Sequence, residues 1–156
     1  MNTNGPVIVI EDDEDDQQFL TEIFEKLNYG NKIMFFADGK LALDFLTQTD
    51  IAPFLILSDI NMPRIDGMAL RQMVKQNEKL NVKCIPYLFF TTAADKKFVL
   101  DAYSMSVQGF FKKPKSYDKL ESTVKVIMDY WKECISPHQF DDELVGVVRA
   151  TSSSEA

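Results

Sequence analysis

Six acidic residues stand without interruption from Glu11 to Asp16, directly after the apolar run Val7 to Ile10, and another acid, Asp59, follows Phe54-Leu55-Ile56-Leu57-Ser58. A charge run of this kind is ordinarily a solvated loop and helix start. Its position changes that reading, because both Glu11 and Asp59 fall at the carboxyl ends of apolar runs. Carboxylates gathered in one cleft repel each other and lose solvation, so they need a cation or added protons. Hard oxygen ligands with room left for water suit Mg2+. Thr91 closes a fourth apolar run and Lys113 a fifth, which adds a hydroxyl donor and an ammonium. A bare threonine in such a place is most often a cap and a bare lysine a surface charge. Acid, acid, hydroxyl and ammonium around a metal, however, suit phosphoryl transfer, with a carboxylate attacking while the other groups neutralise the phosphoryl oxygens.

The elements that must hold these residues follow from hydrophobic patterning. Five short apolar runs, Val7 to Ile10, Ile33 to Phe36, Phe54 to Leu57, Ile85 to Phe90 and Gly109 to Phe111, lack strict alternation and predict strands buried on both faces. Between them come stripes at helical spacing: Leu20, Ile23, Phe24 and Leu27; Leu41, Ala42, Phe45 and Leu46; Leu70, Met73 and Val74; Phe98, Val99, Ala102 and Tyr103. A last helix steps through Tyr117, Leu120, Val124, Ile127 and Trp131 behind the candidate N-cap Ser116, and Pro137 sets its latest end. Five strands alternating with five helices predict a doubly wound α/β domain, a parallel sheet of order 2-1-3-4-5 with helices on both faces. Ligands of such sheets gather beyond the carboxyl strand ends, where the strand order reverses, and the four chemical positions all lie at such ends.

Composition narrows the partners. The 156 residues carry a formal net charge of -7 with a pI near 4.7, which opposes direct binding to nucleic acid backbones. Lys112, Lys113, Lys115 and Lys119 form only a short, interrupted basic stretch. No apolar run is long enough to cross a bilayer and the amino end lacks a secretory pattern, so a cytoplasmic protein without membrane insertion is expected. Cys84 and Cys134 show neither CxxC nor Cys/His spacing and are expected as reduced thiols. His138, the one histidine, reads as an incidental surface residue, and Trp131 with the Met and Phe stripes as core or interface. The Ser-rich end Thr151 to Ala156 has the composition of a disordered tail.

Four segments, in order, carry a resemblance to the receiver domains of two-component response regulators: Val-Ile-Val-Ile-Glu11-Asp12-Asp13; Leu-Ser-Asp59-Ile-Asn61-Met62-Pro63-Arg-Ile-Asp66-Gly67; Pro86-Tyr-Leu-Phe-Phe-Thr91-Thr92-Ala93; and Gly109-Phe110-Phe111-Lys112-Lys113-Pro114. The resemblance covers roughly residues 5–134, with 135–156 left as a short tail, disordered in part. It implies a flavodoxin-like fold and a cytoplasmic single-domain switch that takes a phosphoryl group from a sensor histidine kinase or phosphotransfer protein. It further implies that Asp59 is the phosphoacceptor, that Glu11, Asp12, Asp59 and the backbone carbonyl of Asn61 hold Mg2+ (or Mn2+ in its place), and that Thr91 and Lys113 bind the phosphoryl oxygens. Phe110 would be the switch aromatic, and Lys113-Pro114 a cis peptide that aims the lysine. Such a protein is no enzyme in the usual sense, although it assists its own phosphorylation and dephosphorylation.

Two positions depart from the family's pattern. Phe110 has no hydroxyl with which to register a buried rotamer, and Thr92 stands where the family has a smaller residue, which narrows access to the acceptor. Two other readings stay open. A haloacid-dehalogenase-type phosphatase also uses a strand-end aspartate with magnesium, but needs a second Asp two residues on, where this chain has Asn61. A receiver-like module that signals without phosphorylation would be expected to lose an acid, the acceptor or the lysine, and all are present. With 135–156 too short for a DNA-reading domain, the signal is expected to leave through the receiver itself, toward a downstream protein target or a second copy of the chain.

Overall fold

In a computed structural model, which describes residues 1–137, five parallel strands form one sheet: β1 (Val7–Ile10), β2 (Ile33–Phe36), β3 (Leu55–Ser58), β4 (Tyr87–Thr91) and β5 (Gly109–Lys112). Their order is β2-β1-β3-β4-β5, as expected. Around them lie α1 (Glu14–Leu27), α2 (Gly39–Gln48), α3 (Gly67–Gln76), α4 (Glu78–Asn81), α5 (Lys96–Ser104) and α6 (Tyr117–Glu133). The absence of alternation in the apolar runs is explained by the two cores. Val7, Val9, Leu55, Leu57, Leu88 and Phe90 face α1 and α6, whereas Ile8, Ile10, Ile56, Tyr87 and Phe89 face α2, α3 and α5. Each such side chain, fully buried, contributes roughly 1.5–3 kcal/mol, so the three central strands anchor the sheet while the edge strands β2 and β5 are only partly covered.

Local chemistry starts the helices. Asp13, Asp38, Asp66, Asp95 and Ser116 each accept a hydrogen bond from the backbone N–H three residues on, at 2.7–3.3 Å. Pattern reading differs from the structure at the margins. The one-turn helix α4 is too short to show a period, and Leu41, Met73 and Tyr103 of the expected stripes are exposed. Helix α6 ends at Glu133, ahead of Pro137, with Trp131 half-buried against the core. Cys84 and Cys134 are free thiols, the first exposed. Met1 and Ser136 are buried as well, so packing reaches past both edges of the expected 5–134. His138 and the Ser-rich end lie outside the described residues, and no described helix is long and apolar enough to cross a membrane.

Candidate functional site

Strand pairing assembles the site. Asp59 N–H donates to the Ile10 carbonyl at 3.0 Å, which sets the ends of β1 and β3 side by side and brings Glu11 against Asp59. Thr91 is the last residue of β4, and Lys113 follows β5 with its N–H donating to the Thr91 carbonyl at 2.9 Å. The loop after β3 turns back through Gly67, whose N–H donates to Ile60 O at 2.8 Å. A Cβ there would fall 2.1 Å from the Asp59 carbonyl oxygen, so only glycine lets this loop close under the acceptor residue.

The side chains converge. Asp59 Oδ1 accepts from the Thr91 hydroxyl at 2.5 Å and from Ile60 N–H at 2.7 Å, while Asp59 Oδ2 lies 3.3 Å from Lys113 Nζ. Lys113 Nζ also donates to Glu11 Oε2, and to Asp16 Oδ2 at 2.9 Å. Thr91 is fully buried and Glu11 is 2 % exposed. Burial pushes the Glu11 carboxyl up to about 7, against the lowering effect of its hydrogen bond and charge attraction to Lys113. Burial works against the Lys113 charge too, but Glu11, Asp16 and Asp59 outweigh it and raise the ammonium above the ordinary lysine range. One oxygen each from Glu11, Asp12 and Asp59 lies within 4.8 Å of the others. Asp12 is exposed and Asp59 half-buried, so the trio opens toward solvent. All its donors are hard carboxylate oxygens, a set that fits a divalent cation of the Mg2+ or Mn2+ kind and not a thiophilic one.

The expected residues therefore come together, with one correction. The Lys113-Pro114 peptide is trans, since no cis peptide bond occurs among the described residues. The trans isomer is favoured by about 0.5–1 kcal/mol before proline, and here the lysine reaches all three carboxylates without the other. Asn61 is exposed in the loop two residues beyond Asp59. Phe110 is half-buried on β5, its ring 5.8 Å from that of Phe89. Thr92 is exposed beside the acceptor and lines, with Asp16, Lys113 and Pro114, a cavity of about 290 Å3. Pattern reading missed Asp16. It is the third residue after the N-cap Asp13, and the first turn of α1 swings it toward Lys113; the Asp13-x-x-Asp16 spacing of a capped helix was the available signal.

Over residues 7–125 the chain matches the family described as the response regulator receiver domain. The chain belongs to this family. Among its receiver relatives, the "Probable methanogenesis regulatory protein FilR2" of Methanothrix harundinacea is 30% identical over 129 residues, 80% of this chain and 82% of that protein. The response regulator Rcp1 of Synechocystis is 27% identical over 135 residues, 83% of this chain and 90% of Rcp1. A crystal structure of the Mn2+-bound form of Rcp1 superposes with a TM-score of 0.73 over 84% of this chain and 97% of Rcp1, at 28% identity. The phosphorylated cyanobacterial phytochrome response regulator RcpA superposes with a TM-score of 0.76 at 25% identity, over 85% of this chain and 97% of RcpA. Both the parallel five-stranded fold and the receiver family expected from the four motifs are thus established.

Proposed function

We propose that this receiver domain is a Mg2+-dependent phosphorylation switch whose phosphoacceptor is Asp59. The observation that carries the reading is the surround of one carboxylate: a buried hydroxyl on one oxygen, an ammonium near the other, and two further acids within 4.8 Å. A carboxylate oxygen of Asp59 attacks the phosphorus of a phosphohistidine on a sensor kinase or phosphotransfer protein; the P–N bond breaks and the imidazole leaves. Lys113 and the Thr91 hydroxyl, both already on Asp59, exchange that partner for phosphoryl oxygens. Glu11, Asp12, Asp59 and the carbonyl of Asn61 would hold the cation, which supplies charge neutralisation on the transferring group. The Mn2+ named with Rcp1 and the phosphorylation named with RcpA support the same reading.

Output is proposed through the face of α5, β5 and α6, in a cytoplasmic setting, toward a protein target or a second copy. Leu100, Tyr103, Val126 and Tyr130 are exposed on its two helices, and Phe110 on β5 is the candidate switch aromatic, able to change rotamer as Thr91 moves onto the phosphoryl group. Incubation with a small acyl phosphate, with and without chelator, tests the chemistry by intact mass. One added phosphoryl group in Mg2+ and none with chelator is expected. Metal-independent addition would contradict the proposal.

A further inference from the structure

At the amino end of the sheet, opposite the acidic site, lies a cavity of about 450 Å3. Val74, Leu80, Ile85 and Trp131 give it apolar walls, and Arg71 and Lys75 of α3 give it two positive charges. No acid lines it among the described residues. Arg71 is 7 % exposed and has no carboxylate partner among the described residues. Its guanidinium donates to the carbonyls of Met105 at 3.1 Å and Ser106 at 2.8 Å and stacks 5.3 Å from the Tyr87 ring centroid. These are neutral partners for two of five N–H donors, and a buried cation so placed retains a strong preference for an anion. Lys75 adds to that preference, since its hydrogen bond is to the Ser106 hydroxyl.

The chain itself carries a matching segment. Pro137 lines the cavity, and beyond it the sequence runs His138-Gln139-Phe140-Asp141-Asp142-Glu143-Leu144-Val145. At 3.3–3.6 Å per extended residue, Phe140 can reach about 10 Å from Pro137 and Glu143 about 20 Å, enough to span a cavity of this size. Three consecutive acids flanked by Phe140 and Leu144 answer two cations between apolar walls. We propose that the segment Phe140 to Leu144 docks back into this cavity, its acids on Arg71 and Lys75 and its apolar residues toward Trp131 and Leu80. A tether of a few residues makes the encounter intramolecular, at an effective concentration of order millimolar, so modest contacts suffice. A free acidic partner would have to compete with that.

The cavity contains its own reporters, since Trp131 is the one tryptophan and Cys84 and Cys134 the two cysteines of the chain, and all three line it. The test compares the full chain with a Phe140→Ala, Asp141→Asn, Asp142→Asn, Glu143→Gln variant, using acrylamide quenching of Trp131 and the rate of thiol modification by a neutral maleimide. Docking predicts stronger quenching, a red-shifted emission and faster modification in the variant. Lys75→Glu, at an exposed position, should release the segment in the same way, and Asp142→Lys added to it should restore protection. Identical quenching and thiol rates in parent and variant would overturn the proposal. Protection that is lost on dilution, with a larger mass by sedimentation at high concentration, would also overturn it, by assigning the cavity to the segment of a second copy.

Discussion

The ammonium of Lys113 stands 2.9 Å from Asp16 Oδ2, so the first turn of α1 is tied directly to the strand end beside the candidate phosphoacceptor. Asp16 is itself over a third exposed, and water screens its charge more than that of Glu11. Asp16→Asn should therefore leave phosphorylation possible and Mg2+ affinity close to the parent's, while slowing phosphotransfer less than Lys113→Ala does. Stopped-time intact-mass measurements on both variants check the ranking. A slower Asp16→Asn than Lys113→Ala would mean that Asp16 does more than position the lysine.

Gly67 is the steric keystone of the loop under the site. A Cβ would meet the Asp59 carbonyl oxygen at 2.1 Å and Ile60 Cα at 2.9 Å, both backbone atoms that cannot swing away. Gly67→Ala should cost at least about 1–3 kcal/mol, the range for forced overpacking. Urea unfolding at equal m-values measures it, and a midpoint equal to the parent's would show that the loop yields.

How much of this was legible beforehand varied with the physical signal. The central strands announced themselves because burial on both faces leaves unbroken apolar runs such as Phe54 to Leu57, and the terminal acids Glu11 and Asp59 broke those runs sharply. Edge strands and helix faces were less legible: Leu41, Met73 and Tyr103 keep helical spacing yet point to solvent, since a stripe says which face is apolar and not how wide the covering sheet is. The role of Asp16 depended on where a helical turn places a side chain in three dimensions, which a run of six acids conceals. The proline after Lys113 permitted a cis bond without requiring one.

The hydroxyl of Thr91 bonds both Asp59 Oδ1, as donor, and Ala93 N–H, as acceptor at 3.1 Å. Removing it in Thr91→Ala leaves two buried or half-buried groups short of a partner, a loss of about 1–3 kcal/mol. Thr91→Ser keeps the hydroxyl and should recover most of both stability and phosphotransfer rate. Equal rates in Thr91→Ala and parent would remove Thr91 from the phosphoryl-binding role.

Lys113 neutralises the same carboxylates that would hold the metal. Without metal, Lys113→Ala should melt below the parent, because Glu11, Asp16 and Asp59 lose their shared cation. Saturating Mg2+ should then raise its Tm by more than it raises the parent's, whereas Asp12→Ala should shrink the shift. Metal at a hundredfold over Kd contributes about 2.7 kcal/mol, well within reach of a thermal melt. Identical shifts in all three proteins would place the cation elsewhere.

The most direct measurement locates the phosphoryl group itself. Parent and Asp59→Asn protein are incubated with a small acyl phosphate and Mg2+, and the modified residue is identified by trapping the acyl phosphate with borohydride, digesting and sequencing the peptides by mass. The account predicts a single trapped site at Asp59 in the parent and no phosphoryl gain in Asp59→Asn. Equal gain in Asp59→Asn, or a trapped site at Glu11, Asp12 or any other acid in the parent, would contradict it.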